Sequence, residues 1–428
     1  MAEGTTRAGA IEIKEATIVS GSGRAESVVP QIIEINLYED IFEHFLTGKI
    51  LIRDCQALAQ FFPFVGHEYL RLTVATPGLD ESVGEFSREF FIYSVSDKII
   101  DSQTSAFYTL AFISKEAIVD MNVRLSKTFR GTSDVMLAEL LGEKGLNVDQ
   151  DEKAFWLARS SNNFTFCANW WNPTKCINYI TEHSLNGVEQ PDFLFYETKS
   201  GFNFESLDTL INPNTDAIVQ SFRFDRYARS MGEKDSADLD ITRQYQTVAD
   251  MEIKSGYDYI DRLRNGYYGG STISFNPLTQ QYTHRANQVA FGATQHLNKY
   301  APYPENTPMT YYGFVRYAPT VYNNFENSLD NSDMVFGLNR RIILERLNTT
   351  RALIKVHGRL DYSIGQMVNL TIPSSTQTDE DENIDTLASG KYLIGSIRHS
   401  MTQGVHEATL ELLKDSYIAD IEKSVLKQ

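Results

Sequence analysis

Long apolar runs are the first thing this sequence lacks. No stretch of about 18 apolar residues occurs, the length a membrane-crossing helix requires, so no membrane-spanning segment is expected. Met1–Ala10 is polar and small and has no apolar h-region, so a secretory signal is not expected either. Cysteine is scarce: Cys55, Cys167 and Cys176 are an odd number with no C-x-x-C spacing. That argues against a disulfide framework or a zinc site and fits assembly in a reducing cytoplasm, with three buried thiols acting as small hydrophobes. A basic excess is missing as well. The formal net charge is −17, whereas binding nucleic acid through its phosphates requires clustered Lys and Arg. An acidic surface keeps a chain soluble and repels DNA.

Catalytic signatures are also missing. Gly21-Ser22-Gly23 is followed by Arg24-Ala25-Glu26, without the third glycine of a dinucleotide fingerprint. Gly48-Lys49 runs into Ile50 and Gly390-Lys391 into Tyr392, without the Ser or Thr of a phosphate loop. No G-x-S-x-G elbow points to an acyl-transfer serine. His399 and His406 are the closest histidines, but seven residues apart they make no helical i, i+4 metal pair; they read as exposed or hydrogen-bonded surface side chains on different strands. The acids of Asp379–Asp385 lack the alternation and glycine of a calcium loop and read as a solvated loop or flap. Trp170-Trp171 stands just before a capped helix, where aromatic residues staple the helix entrance to a core. The Tyr-rich stretch Met309–Tyr322 reads as interface or core. No catalytic, cofactor-binding or metal-binding residue is assigned, no cofactor is called for, and the interface residues are not identified.

What is present is a folded composition, 42% hydrophobic and 22% charged, on a chain of 428 residues, too long for one ordinary core. Both ends alternate with the period of strands. Ile33, Ile35 and Leu37 alternate with Glu34 and Asn36; Leu70, Leu72 and Val74 share a face; Phe86–Val95 and Ala106–Ile113 are strands with turn-like residues 97–104 between them. Asp54 can cap a short helix through Ala57, Leu58 and Phe61. From Ser114 the pattern turns helical. Ile118, Met121 and Leu125 lie on one side, then Val135, Leu137, Leu140 and Leu141 form a stripe between a candidate cap at Ser133 and a stop at Gly142. Asn172-Pro173 opens another helix, and Ser200-Gly201 joins a hairpin. Asn276-Pro277 marks a second hairpin, Leu338, Ile342 and Leu347 have helical spacing, and Ala352–His357, Gln366–Ile372, Lys391–Arg398 and His406–Leu413 close the chain as strands.

Three ordered segments resemble the baseplate central hub family of contractile-tailed bacteriophages. The first is Ile35–Phe42, Gly48–Asp54, Gly66–Glu68 and Leu70–Leu72. The second is Leu125–Gly131, Asn169–Pro173 and Phe193–Thr198. The third is Gly390–Ile394, Arg398-His399 and Thr409–Asp415. The resemblance implies a β-rich α+β chain with two tail-tube-like antiparallel β-barrel domains and inserted α+β domains. The expected division is a first barrel at 10–115, with 213–240 as a candidate to complete it, and an inserted α+β domain at 116–212. The second barrel takes 241–285 and 349–428, around a helical or irregular insertion at 286–348.

The same resemblance implies a non-enzymatic homotrimer in the virion baseplate, assembled in the host cytoplasm. It would adapt a sixfold tail tube to a threefold central spike and surround the DNA exit channel. Its partners would be the spike, tail tube or tube-initiator proteins and neighbouring baseplate proteins, with DNA only passing through; acidic residues are expected on the lumen. The rival readings are a tail-associated peptidoglycan hydrolase, a spike-hub component of a related contractile secretion machine, and a peripheral baseplate wedge protein. A fused spike is not expected, because the chain stops at Gln428 soon after its last strands.

Overall fold

Alternation is clearest near the C-terminal end, where Val405–Lys414 buries every second residue from His406 to Leu412. A strand of that kind gives one face to a core and the other to water. A computed structural model describes residues 7–56, 64–80, 84–102, 105–211, 218–224, 241–255, 259–265, 270–276, 280–287, 296–300, 311–316, 332–374 and 384–419. The first strands are β1 (Glu12–Val19), β2 (Ala25–Ser27), β3 (Ile32–Asp40), β4 (Thr47–Asp54), β5 (Tyr69–Ala75), β6 (Glu85–Ser102) and β7 (Ser105–Ser114). A mixed segment follows: α1 (Lys115–Asn122), β8 (Leu125–Gly131), α2 (Ser133–Leu141), β9 (Ala154–Leu157), β10 (Phe164–Trp171), α3 (Pro173–His183), β11 (Phe193–Thr198), β12 (Gly201–Ser206) and α4 (Leu207–Ile211). Beyond it come β13 (Ile218–Arg223), α5 (Ile241–Gln246), β14 (Asp250–Ser255), α6 (Tyr259–Asn265), β15 (Gly270–Asn276), β16 (Gln281–Asn287), β17 (Tyr311–Arg316) and α7 (Ser332–Arg346). The last strands are β18 (Thr350–His357), β19 (Met367–Thr371), β20 (Gly390–Thr402) and β21 (Val405–Lys414).

The architecture is mostly antiparallel. One 13-stranded sheet follows the path β14-β18-β21-β20-β3-β4-β7-β6-β5-β1-β2, with β19 branching from β20 and β13 from β19. Among the described residues this path is open at β14 and at β2. Two apolar cores lie on it. One gathers Ile18, Ile35, Leu72, Phe90 and Phe112 from the first strands. The other gathers Ile354, Val368, Leu393, Leu410 and Leu412 from the last. They adjoin where β3 pairs with β20, from Asp40↔Ser396 to Ile35↔Met401. Met401 joins the first core and Ile41 the second, so each half packs across the seam. A third core, with Leu137, Phe166, Ile177, Phe193 and Phe202, belongs to the mixed segment.

Local chemistry explains several elements. Asn172 is the N-cap of α3 and Pro173 its first helical residue. The Asn172 side chain does not cap. It donates to Asp120 Oδ2 (2.7 Å), and Asp120 Oδ1 accepts the Thr174 N–H (2.6 Å), so a carboxylate from α1 caps α3. The β11–β12 hairpin pairs Thr198 with Gly201. Gly201 stands at φ +145, and a Cβ there would lie 2.1 Å from the Ala154 carbonyl, so only glycine lets β9 approach.

Several expectations give way. The residues read as a turn at 97–104 belong in part to β6, which stays paired with β7 as far as Ser102↔Ser105 through three register shifts. Thr132, not Ser133, is the N-cap of α2. Met121 (65%) and Val135 (58%) are exposed rather than turned inward; α1 buries Glu116, Ala117 and Asp120 instead. β13 does not complete the first half: it pairs in parallel with β19 of the last strands. The β15–β16 hairpin forms as read, but it joins β17 in a separate three-stranded sheet. The short helix expected after Asp54 lies outside the described residues.

Candidate functional site

A buried polar cluster joins β3, β20 and β21 to the β11–β12 hairpin, which supplies Lys199 to it and Glu197 to a second group of charges. Lys199, in the turn, donates to Glu39 Oε1 on β3 and to the Tyr362 carbonyl, and its Nζ lies 3.2 Å from His399 Nε2 on β20. Glu39 Oε1 is 3.0 Å from His399 Nε2, and His399 Nδ1 is 2.9 Å from His406 Nε2 on β21. One assignment satisfies the Glu39 and His406 contacts with neutral rings: His399 Nε2–H donates to Glu39, and His406 Nε2–H donates to His399 Nδ1, leaving the Lys199 ammonium beside His399 Nε2 without a bond to it. Both rings are fully buried. Gly358 makes the room, since a Cβ there would lie 2.3 Å from the His406 ring.

Two residues earlier, Glu197 reaches the other way. Its Oε2 accepts from the Leu46 N–H (2.9 Å) and the Ser114 hydroxyl (2.7 Å), and its Oε1 from Lys153 Nζ (2.6 Å). Lys153 Nζ also donates to Glu116 Oε2 at 2.6 Å. Glu197 and Lys199 thus reach from the mixed segment to the main sheet, through Leu46, Ser114 and Glu39, while Lys153 and Glu116 hold Glu197 from within the mixed segment. The hairpin acts as a clamp.

Burial and neighbouring charge set the protonation states. Burial alone would push the Glu39 carboxyl up, but the Lys199 ammonium and the His399 bond outweigh it and hold it below the ordinary value. Burial depresses His399, aided by the positive charge of Lys199. Burial lowers His406 much further, with His399 and Lys199 adding to it. Burial raises Glu116, against the pull of Lys153. A charged Lys–Glu pair beside two neutral imidazoles is therefore the state at neutral pH. Neither ring meets solvent.

The structure relocates most sequence candidates. His399 and His406 are buried partners, not surface side chains. They lie on adjacent strands, diagonal across the register Met401↔His406 and His399↔Ala408. Sequence reasoning missed Glu39, Lys199, Lys153, Glu116 and Glu197; the signal for Glu39, Glu197 and Glu116 was charge inside apolar strands or at a helix start, and Lys199 and Lys153, in turns, gave none. Trp170 is exposed (71%) at a β-bulge, with φ +59. Trp171 packs against Phe166 and Tyr179 as a core residue does. Cys55 is exposed, Cys167 partly buried and Cys176 buried; burial pushes the Cys176 thiol up to about 12. Of Met309–Tyr322 only 311–316, strand β17, is described, and of the acidic loop only Ile384 and Asp385. Among the described residues no group of three His, Cys, Asp or Glu side chains could hold a metal, and no helix is long and apolar enough to cross a membrane.

One groove opens between α3 and α7. It holds about 660 Å³ and is lined by Phe42, His183, Arg340, Arg341, Leu344 and Arg351, among others. Arg340 is already committed, donating to the Phe193 (2.7 Å) and Pro191 (3.2 Å) carbonyls, and Arg351 donates to Glu411 (3.0 Å). These guanidiniums tie α7 and β18 to the neighbouring elements.

No family model matches the sequence, and no curated protein matches it. Solved structures do. The chain is similar to the tail protein from Neisseria meningitidis MC58, with a TM-score of 0.52 and 11% identity, over 94% of this chain and 96% of that one. It is similar to the prophage MuSo2 43 kDa tail protein from Shewanella oneidensis, with a TM-score of 0.51 and 8% identity, over 94% of this chain and 98% of that one. Likeness spread over nearly the whole of both chains is a likeness of fold.

Proposed function

We propose that this chain is a structural, non-enzymatic hub subunit of a phage tail baseplate. Three copies form a ring that adapts a sixfold tail tube to a threefold central spike, in the virion, around the path of DNA exit. The observation that carries the reading is the end-to-end fold likeness to two tail proteins. The paired cores on one sheet support it further. A sixfold surface meets a threefold one when each chain offers two equivalent patches. Here the first patch would come from β1–β7 and the second from β13, β14 and β18–β21. These two units would be the tail-tube-like barrels, with the mixed segment α1–α4 and the β15–β17 sheet as insertions. Spike, tube and neighbouring baseplate proteins would be the partners. The net charge of −17 suits a channel wall that DNA passes without sticking.

The test is the solution mass by light scattering over a dilution series. The expected result is a stable species near three times 48.5 kDa. A persistent monomer, with turnover in a dye-release assay on purified cell wall, would replace this reading with a hydrolase.

A further inference from the structure

Most of the main sheet turns its apolar side chains inward, but the far end of β6 does not. Pairing of β6 with β5 stops at Tyr69↔Phe91, followed by one backbone bond from the Ile92 N–H to the Glu68 carbonyl (3.0 Å). Pairing with β7 continues to Ser102↔Ser105. From Tyr93 onward β6 therefore uses one edge, and among the described residues no strand takes the other. On this arm Tyr93 is 54% exposed, Val95 42%, Ile99 63% and Ile100 74%. Tyr69, 37% exposed, continues the surface at the base of the arm, its ring 5.6 Å from Phe91.

Strand edges are normally defended by charge, proline or a covering element. The stretch Tyr93–Ser96 carries no charge, and in Asp97, Lys98 and Asp101 the charges nearly cancel. On a chain of net charge −17, copies repel one another over most of their surface. They can approach where charge is least.

We propose that this arm is the surface on which a second copy of the chain docks, covering the free edge of β6 and its exposed apolar side chains together. Ile99 and Ile100 are successive paired residues and stand on opposite faces of the strand, so the docked copy would wrap the arm rather than lie on one face. The inference rests on the trimer reading and names the surface that makes it.

The test combines mass and amide exchange. Wild type and the double variant Ile99→Glu/Ile100→Glu are compared by light scattering, with circular dichroism and melting temperature as folding controls. A trimeric wild type beside a folded, monomeric variant is the expected result. A folded variant that stays trimeric overturns the docking surface and leaves the trimer reading standing. A wild type that is monomeric at every concentration overturns both. Should the variant not fold, hydrogen exchange on the wild type decides. Slower exchange of the Tyr93–Asp101 amides in the trimer than in the diluted monomer supports the inference, and unchanged exchange there overturns it alone.

Discussion

At the scale of single residues, Lys199 decides the charge balance of the seam. Glu39 is buried and anionic, and Lys199 is its full positive partner. In the wild type His399 and His406 stay neutral below the pH at which an unfolded histidine protonates. As pH falls below about 6.5 the unfolded chain gains protons that the folded chain does not, so stability falls on acidification. Lys199→Met reverses the sign. Among the described residues His399 is then the group left to neutralise Glu39, its folded value rises above the unfolded one, and stability increases as pH falls toward about 6.5. We expect the variant to lose about 3 kcal/mol at pH near 8, the cost of leaving a buried charge without its partner. Urea midpoints measured across pH would show the opposite slope from wild type; a parallel slope would mean that Lys199 does not set the His399 state. None of this was legible in the sequence. Glu39 and His399 lie 360 residues apart, and two histidines separated by seven residues resemble a pair only once the β20–β21 register is known.

At the scale of elements, the strands were readable and the orientation of the helices was not. Alternation located β18 and β21, which hide mainly one face, and also β3 and β5, although Asn36 and Thr73 on their other faces are buried too. The turn-like composition of Asp97, Lys98, Asp101 and Ser102 concealed the extension of β6, since bulges let polar residues remain in a paired strand. For α1 the apolar stripe pointed to Ile118 and Met121, yet the helix buries Glu116 and Asp120. Two carboxylates with strong partners outweigh one methionine side chain. Asp120 is the more informative of them, because it accepts the Thr174 N–H and holds Asn172. Asp120→Ala should cost about 1–2 kcal/mol, the usual loss for a cap. Hydrogen exchange should quicken at the first turn of α3, the residues after Pro173, before it does at β8 and β10. Uniform quickening across the mixed segment would assign Asp120 a global role instead.

At the scale of the whole molecule, what could not be read was which hairpin joins which sheet. β13 and the β15–β16 hairpin have ordinary strand patterns, and their partners β19 and β17 lie far along the chain; a period of two carries no address. The consequence of the actual connections is cooperative. The main sheet is continuous across β3–β20, Met401 and Ile41 each pack into the opposite core, and Glu197 and Lys199 fasten the third core to both. Opening one core would strip the Lys199–Glu39 pair of its surroundings and expose the seam of the other, so the cores should not melt in turn. We expect calorimetry at neutral pH to give one transition whose measured enthalpy matches the van't Hoff value. In Lys199→Met the charge that couples the hairpin to the seam is gone, and the mixed segment should melt earlier as a separate shoulder. Two transitions already resolved in the wild type would mean that the β3–β20 seam and the hairpin clamp do not couple the cores.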